Sequence, residues 1–248
     1  MSEVAASSRK RPFVAQTRVE LMLTLRRGES LLLALGIPVM LLVFFSLVDV
    51  LPSGTPDSVD FLAPGILALA VMSTAMVGLG IATGFERSYG VLKRLGATPL
   101  GRSRLLAAKT ATVVAVEVLQ AVVLIVIALL LGWSGHGNWA AAVGAIVLGT
   151  VAFAGIGLAM AGRLRGEVNL AAANGLYLVL LLLGGMVIPL TKLPSGLRAV
   201  ARALPSGALS DALHGALGPG DIPDRAWIVL IVWAVVAPVV AALTFRWE

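Results

Sequence analysis

Long apolar runs alternate along the whole chain with short stretches that are polar, basic or rich in Gly and Pro. Six runs, covering about 30–50, 61–84, 105–131, 139–162, 168–189 and 226–245, each approach the ~20 helical residues needed to cross ~30 Å of hydrocarbon. Lipid offers no partners to exposed N–H and C=O groups, so each run is expected to close on itself as an α-helix. The pattern predicts an all-α integral membrane protein with six transmembrane helices, residues 30–248 forming the membrane domain.

Two further segments have helical periodicity without the length to span. In "FVAQTRVELMLTLRR", Val14, Leu21, Met22 and Leu25 share one helical face, while Gln16, Glu20 and Arg27 fall on the other. This predicts an amphipathic helix within residues 1–29, lying along the membrane interface. The second segment covers residues 193–218, between spans 5 and 6. Leu197, Val200, Ala201 and Leu204 follow an i, i+3, i+4, i+7 pattern, and Leu209, Leu213 and Leu217 recur at intervals of four. Pro194-Ser195 and Pro205-Ser206 read as helix starts, with the serines available as caps. Two short, re-entrant-like helices are expected here, dipping into or resting on the outer leaflet; a plain surface loop is the alternative.

Composition sharpens the membrane reading. Of 248 residues, 58% are apolar and 13% charged, against roughly half and a quarter in soluble domains. Mean hydropathy is +0.97. There is no cysteine, which excludes disulfides, thiolate metal sites and cysteine nucleophiles. The net charge of +6 would fit a nucleic-acid partner in a soluble protein, but here it reports topology. Arg9, Lys10, Arg11, Arg18, Arg26, Arg27, Arg87, Lys93, Arg94, Arg102, Arg104, Lys109, Arg163, Arg165 and Arg246 fall on one side of the six spans. Lys192, Arg198, Arg202 and Arg225 fall on the other. The positive-inside rule then predicts cytoplasmic N- and C-termini in a multi-pass protein of the plasma (inner) membrane. Trp133, Trp139 and Trp227 fall at the predicted outer boundaries, where amphipathic rings are at home. The N-terminal stretch lacks a short apolar core followed at once by a small-residue cleavage site, so no cleaved signal peptide is expected.

The stretch "GATPLGRS" comes within one residue of a phosphate-binding loop, with Arg102 in the place of the lysine. Three features argue against that chemistry. No strand precedes it, Pro99 removes a backbone N–H from the would-be cradle, and no acidic Walker-B strand occurs elsewhere. No cofactor is expected to bind this chain. Nor is a metal: His136 and His214 lack second ligands at helical spacing. No nucleophile–base arrangement or carboxylate pair emerges from spacing, so no catalytic residue is expected.

The surrounding loop, "ERSYGVLKRLGATPLGRSRLLAAK", resembles the loop between spans 2 and 3 in permease subunits of ABC-2 type exporters, especially drug and lipid exporters. Glu86, Arg87, Gly90, Leu92, Lys93, Leu95, Thr98, Pro99 and Lys109 match that pattern. A second match is "FLAPGILAL", through Pro64 and Gly65. A third runs through Pro189, Leu193, Pro194, Leu197, Pro205, Asp211, Ala212 and Leu213. The resemblance implies that residues 86–104 form a coupling element on a separate ABC ATP-binding subunit, with Glu86, Arg87, Gly90, Lys93, Arg94, Leu95, Thr98 and Pro99 as its contacts. ATP and Mg would be bound by that subunit. It also implies a second permease copy or paralogue, and an outer gate involving Pro189, Pro194, Pro205 and Asp211. A loop that merely sets topology, touching lipid headgroups, is the alternative.

Glu117 is the one Asp, Glu, Lys or Arg well inside a predicted span. An ionisable group there costs roughly 2.5–3.5 kcal/mol on insertion scales, so it is expected to face protein or a cavity. It reads either as a polar point on a translocation path or subunit interface, or as a carboxyl bonded to Gln120 or Thr112 or reaching toward Lys109. Gly149, Gly155, Gly157 and Gly162 read as packing devices that let helices approach closely. The function expected is therefore the permease of an ATP-driven exporter of drugs or lipids, in contact with the bilayer and with no nucleic acid. Export of a polysaccharide or lipid-linked glycan is the alternative. An ion-gradient transporter using Glu117 is a further one, although no inverted repeat is visible.

Overall fold

The structure, a computed structural model, describes residues 28–48, 58–96, 101–218, 221 and 223–245. The amphipathic N-terminal segment and the readings at Thr98 and Pro99 lie outside the described residues, as does the side chain of Leu95. The described residues are helical and contain no strand. They form α1 (Gly28–Leu47), α2 (Ser58–Ser88), α3 (Val91–Gly96), α4 (Gly101–Leu130), α5 (Trp139–Ala161), α6 (Gly166–Leu183), α7 (Ser195–Ala203), α8 (Pro205–Leu217) and α9 (Asp224–Thr244). Among the described residues five helices are long and apolar enough to cross a membrane, namely α2, the Ala108–Leu130 part of α4, α5, α6 and α9. Helix α1 is 20 residues long, and its side chains are described from Ala34, where the described apolar stretch is Ala34–Leu47; the expected six is therefore five full spans plus this one.

The bundle is sorted as hydrocarbon requires. On α4, Val114, Val118, Val122, Val126 and Leu129 recur every three or four residues and are exposed. Lys109, Thr112, Glu117 and Gln120 share the opposite, buried face. A soluble helix would present the reverse arrangement. The central rod is α2: 72% of its most apolar stretch is buried, against 22–39% in the other four spans. Midway, at Ser73–Gly78, it widens into a π-helical segment. Such segments occur often at functional sites.

Small residues set the closest approaches. A Cβ on Gly157 of α5 would collide with the Met76 carbonyl oxygen in that π segment, and one on Gly155 would fall against the Pro238 backbone of α9. Along its whole length α5 lies beside α9, with Gly144 opposite Trp227 and Gly162 opposite Phe245. The packing role expected of these glycines is what the backbone contacts display.

The loop after α2 is mostly helical. Glu86, Arg87 and Ser88 form the last turn of the rod, Gly90 turns the chain with φ of +68°, and α3 follows. The fifth apolar run breaks earlier than its hydropathy indicates. Helix α6 ends at Leu183, not Pro189, because Gly184 and Gly185 (φ +69°) turn the chain and seat Met186 beside Gly65 of α2. Pro189 instead precedes a short 3-10 turn, Leu190–Lys192.

Helices α7 and α8 begin where the Pro-Ser pairs place them, but the capping differs from expectation. Neither start has a side-chain cap bond, and the buried Ser206 hydroxyl has no hydrogen-bond partner. Pro205 serves as the pre-set first residue of α8. The two helices form a hairpin that enters the bundle. The Ala216 carbonyl accepts from Asn138 N at the mouth of α5 (2.7 Å), while Leu209 packs on Gly149. Trp233 Nε1 of α9 donates to the Ala203 carbonyl at the tip of α7 (3.0 Å). At 1.5 Å per residue, Gly149 and Trp233 lie roughly 13–15 Å along their helices, so the tip reaches about halfway down α5. The hairpin is re-entrant, and α8 is buried along nearly its whole length.

Candidate functional site

Two groups of polar residues stand out from the apolar bundle, one at each end. At the first, three consecutive residues of α2 reach three different helices. The Glu86 carboxylate forms an ion pair with Lys109 of α4. Arg87 Nη1 donates to the carbonyl of Ala161, the last residue of α5 (2.9 Å). The Ser88 hydroxyl accepts from the N–H of Gly166, the first residue of α6 (3.0 Å), and donates to Gly84 O (2.9 Å).

Each contact answers a local need. Helix ends leave carbonyls and N–H groups without intrahelical partners, and Arg87 and Ser88 supply them from outside. Lys109 is 4% exposed, so its ammonium needs the carboxylate it meets. One turn above, the fully buried Asn169 donates to Gly80 O (2.9 Å), tying α6 to α2 again. Successive helical residues point about 100° apart, which is why the Glu-Arg-Ser run can grip three neighbours. Lys93 and Arg94 sit on the exposed face of α3, while Leu92 is buried beneath them.

A polar seam continues inward from this end along α4. The Thr112 hydroxyl bonds back to Ala108 O (3.1 Å). Glu117 takes neither Gln120, Thr112 nor Lys109 as partner; Thr150 of α5 donates to its Oε2 (2.7 Å). The same hydroxyl lies 2.9 Å from Ile146 O. Glu117 Oε1 is buried with no hydrogen-bond partner. Gln120 accepts from Thr74 of the π segment (2.7 Å) and donates to Ala34 O of α1 (2.8 Å). The π turn therefore brings Thr74 to the glutamine, and the seam joins α1, α2, α4 and α5.

At the other end, the hairpin is held by main-chain acceptors. The Ser210 hydroxyl donates to Gly185 O (2.9 Å). His214 stacks on Phe61 at 4.4 Å, with Nε2 2.9 Å from Phe61 O and Nδ1 2.7 Å from Ser210 O. Burial pushes its imidazole below the usual range, opposed by those two carbonyls. Asp211 lies beside Arg202, Pro223, Arg225 and Ala226 around a cavity of about 230 Å³. Burial raises the Asp211 carboxyl, while the Arg202 and Arg225 charges pull it back. Pro194 and Pro205 each begin a hairpin helix. Among the described residues no cluster of metal-ligating side chains occurs.

Several members of these groups give no sign of themselves in the sequence. Ser88, Thr150, Thr74 and Asn169 carry no motif signal, since Ser, Thr and Asn in an apolar helix look like ordinary packing. Lys109 matches a pattern that does not reveal its partner.

Residues 12–217 match the ABC-2 type transporter family, and the chain belongs to it. It is also similar to the Bacillus subtilis (strain 168) protein named "Putative transport permease YvfS", with 25% identity over 202 residues, covering 77% of this chain and 79% of that one. The chain is thus a multi-pass membrane permease of an ABC transporter, a transport subunit rather than a catalytic one.

Proposed function

We propose that this permease exports an amphipathic or hydrophobic cargo, a drug or lipid, driven by a separate ABC ATP-binding subunit docked at the Glu86 end. That end is then cytoplasmic, with both termini beside it, and the hairpin end faces outward. The observation that carries the reading is the triple grip of Glu86, Arg87 and Ser88 on α4, α5 and α6. A push on α3 and the turn before it is transmitted to the ends of four spans at once. ATP and Mg act in the partner, where the power stroke begins. Two permease copies, or this chain with a paralogue, enclose the path.

The lipid-facing valines and leucines leave few places for a hydrophilic cargo, and the buried polar seam through Glu117 and Gln120 is the exception. In this reading Glu117 lines the path or the interface between permeases, and the hairpin with Pro189, Pro194, Pro205 and Asp211 forms the exit gate.

The test is purification of the tagged chain from a host that retains its neighbouring genes. Recovery of a stoichiometric ATPase, and loss of export when that partner's Walker lysine is replaced, are the expected results. Absence of any bound ATPase overturns the proposal. The buried free oxygen of Glu117 favours one further arm, a proton-gradient dependence lost in Glu117→Gln. Export that follows the gradient and ignores ATP would replace this reading with a secondary transporter.

A further inference from the structure

The cavity beside the hairpin combines two guanidiniums with one carboxylate in an unusual way. Arg202 is on the tip-side turn of α7, Asp211 is midway along α8, and Arg225 is in the first turn of α9. All three line the same space, and both arginines act electrostatically on Asp211. Yet among the described residues neither arginine closes an ion pair with it within 4 Å. Arg198 on the same hairpin behaves differently, with its guanidinium donating to Thr191 O (2.6 Å) and Leu193 O (2.8 Å). Arg202 and Arg225 are exposed and held apart around open space, while Asp211 is half-buried between them.

Depth identifies what occupies that space. His214 meets Phe61, in the first turn of α2, and Ala216 meets Asn138, just before α5, so those residues mark the membrane boundary on this side. Asp211 is about one turn of α8 deeper, roughly 5 Å. Arg225 is at the boundary itself, two residues before the interfacial Trp227. The cavity therefore begins at the headgroup level, at Arg225, and runs inward to Asp211 and to Arg202 of the deeper α7 tip. Guanidiniums recognise phosphate through paired N–H donors. A purely anionic headgroup would answer the arginines but meet the Asp211 carboxylate. A zwitterionic one answers all three.

We propose that the cavity between the hairpin and α9 binds the headgroup of a phosphoethanolamine lipid, with its phosphate against Arg202 and Arg225 and its ammonium against Asp211. The bound lipid wedges the hairpin against α9 at the mouth of the bundle. The inference needs only the placement of these side chains at one membrane face. It stands independently of cargo and of the ATPase partner, because its test measures binding alone.

The experiment is native mass spectrometry of the full-length chain in detergent, titrated with dioleoyl phosphatidylethanolamine or dioleoyl phosphatidylglycerol. The wild type is expected to retain the ethanolamine lipid in preference to the glycerol lipid. Arg202→Gln and Arg225→Gln should each lower its occupancy about fivefold, consistent with the usual contribution of one basic residue near lipid phosphate. Asp211→Asn should lower retention of the ethanolamine lipid and raise that of the glycerol lipid, reversing the preference. Lys192→Gln removes an exposed cation from the same face and should change nothing. Soluble glycerophosphoethanolamine in excess should leave the lipid bound, since the source is the bilayer. Equal retention of the two lipids by the wild type, ethanolamine-lipid retention unchanged in both arginine variants, or an equal loss in Lys192→Gln would overturn the proposal. Displacement by the soluble headgroup at equal concentration would overturn the lipid assignment. Each variant's thermal unfolding is compared with wild type, and Arg202→Lys and Arg225→Lys, which keep the charge, should retain the lipid if a glutamine variant unfolds.

Discussion

The two ends of the bundle solve the same problem, joining helices in a medium without water, by opposite means. At the Glu86 end, an ion pair and side-chain bonds to helix ends close the joints, although Thr83 Oγ1 and Asn169 Oδ1 stay buried without hydrogen-bond partners. Glu86 has its lysine, the last carbonyl of α5 has Arg87, and the first N–H of α6 has Ser88. At the hairpin end the joints are apolar packing and single bonds to main-chain carbonyls, and two arginines remain open around Asp211. Closed polar joints resist separation, because breaking one strands a buried charge or dipole. Apolar joints in lipid have little penalty for parting, since lipid tails replace the lost contacts. In the function proposed above, the first end moves as a unit and the second opens.

This contrast can be broken by mutation, most severely at the closed end. Glu86→Gln takes its carboxylate from the buried Lys109 ammonium, and removing one partner of a buried pair costs about 3 kcal/mol. Its unfolding midpoint in detergent should fall well below wild type, with Lys109→Met milder because the carboxylate it leaves behind is 25% exposed. An unchanged midpoint would show that the pair is not structural. Next comes Gly157→Val, whose side chain meets the Met76 carbonyl. Overpacking there should cost about 1–3 kcal/mol. At Gly175 of α6 an added methyl group would meet nothing within 4 Å, so Gly175→Ala should instead stabilise by about 1 kcal/mol through helix propensity. Opposite signs in thermal melts would separate packing glycines from idle ones.

Smaller effects sharpen the picture. Thr150→Val leaves both Glu117 oxygens without a hydrogen-bond partner and should cost about 1–3 kcal/mol, read in the same melts. Thr150→Ser keeps the hydroxyl and should recover most of that loss. Ser88→Ala removes one joint between α2 and α6 at about 1 kcal/mol. Its main expected consequence lies in export per ATP hydrolysed, which should fall while the chain remains folded.

Hydropathy suffices for the spans because a membrane helix announces itself by length alone. It misplaces the end of α6, since Gly184 and Gly185 interrupt the apolar run too briefly to register as polar. It gives no hint of the π segment, within which Thr74 bonds Gln120 of another helix. The hairpin helices are readable from Leu spacing and proline, but their depth is not. Periodicity says which face is apolar, not whether that face meets lipid, water or α5. In the sequence, Arg202 reads only as an outer-side charge, and Asp211 only as a motif position in the gate that the resemblance implies. Their place beside the bundle follows only from Leu209 against Gly149 and Ala203 against Trp233. At the closed end, Glu86 and Lys109 are both visible as motif positions. Their pairing is not, because 23 residues and a turn of helix α3 separate them in the chain.

The claim that the closed end moves as one body is tested most directly by spin-label distances. The chain has no cysteine, so introduced pairs report without background. Labels at Lys93 on α3, Arg163 between α5 and α6, and Leu197 on α7 are measured in the complex with the proposed ATPase, before and after ATP. The account predicts that Lys93 and Arg163 both change their distance to Leu197 by on the order of 2 Å, the scale of ordinary helix shifts, while their mutual distance holds. Movement of Lys93 with Arg163 left behind would contradict it.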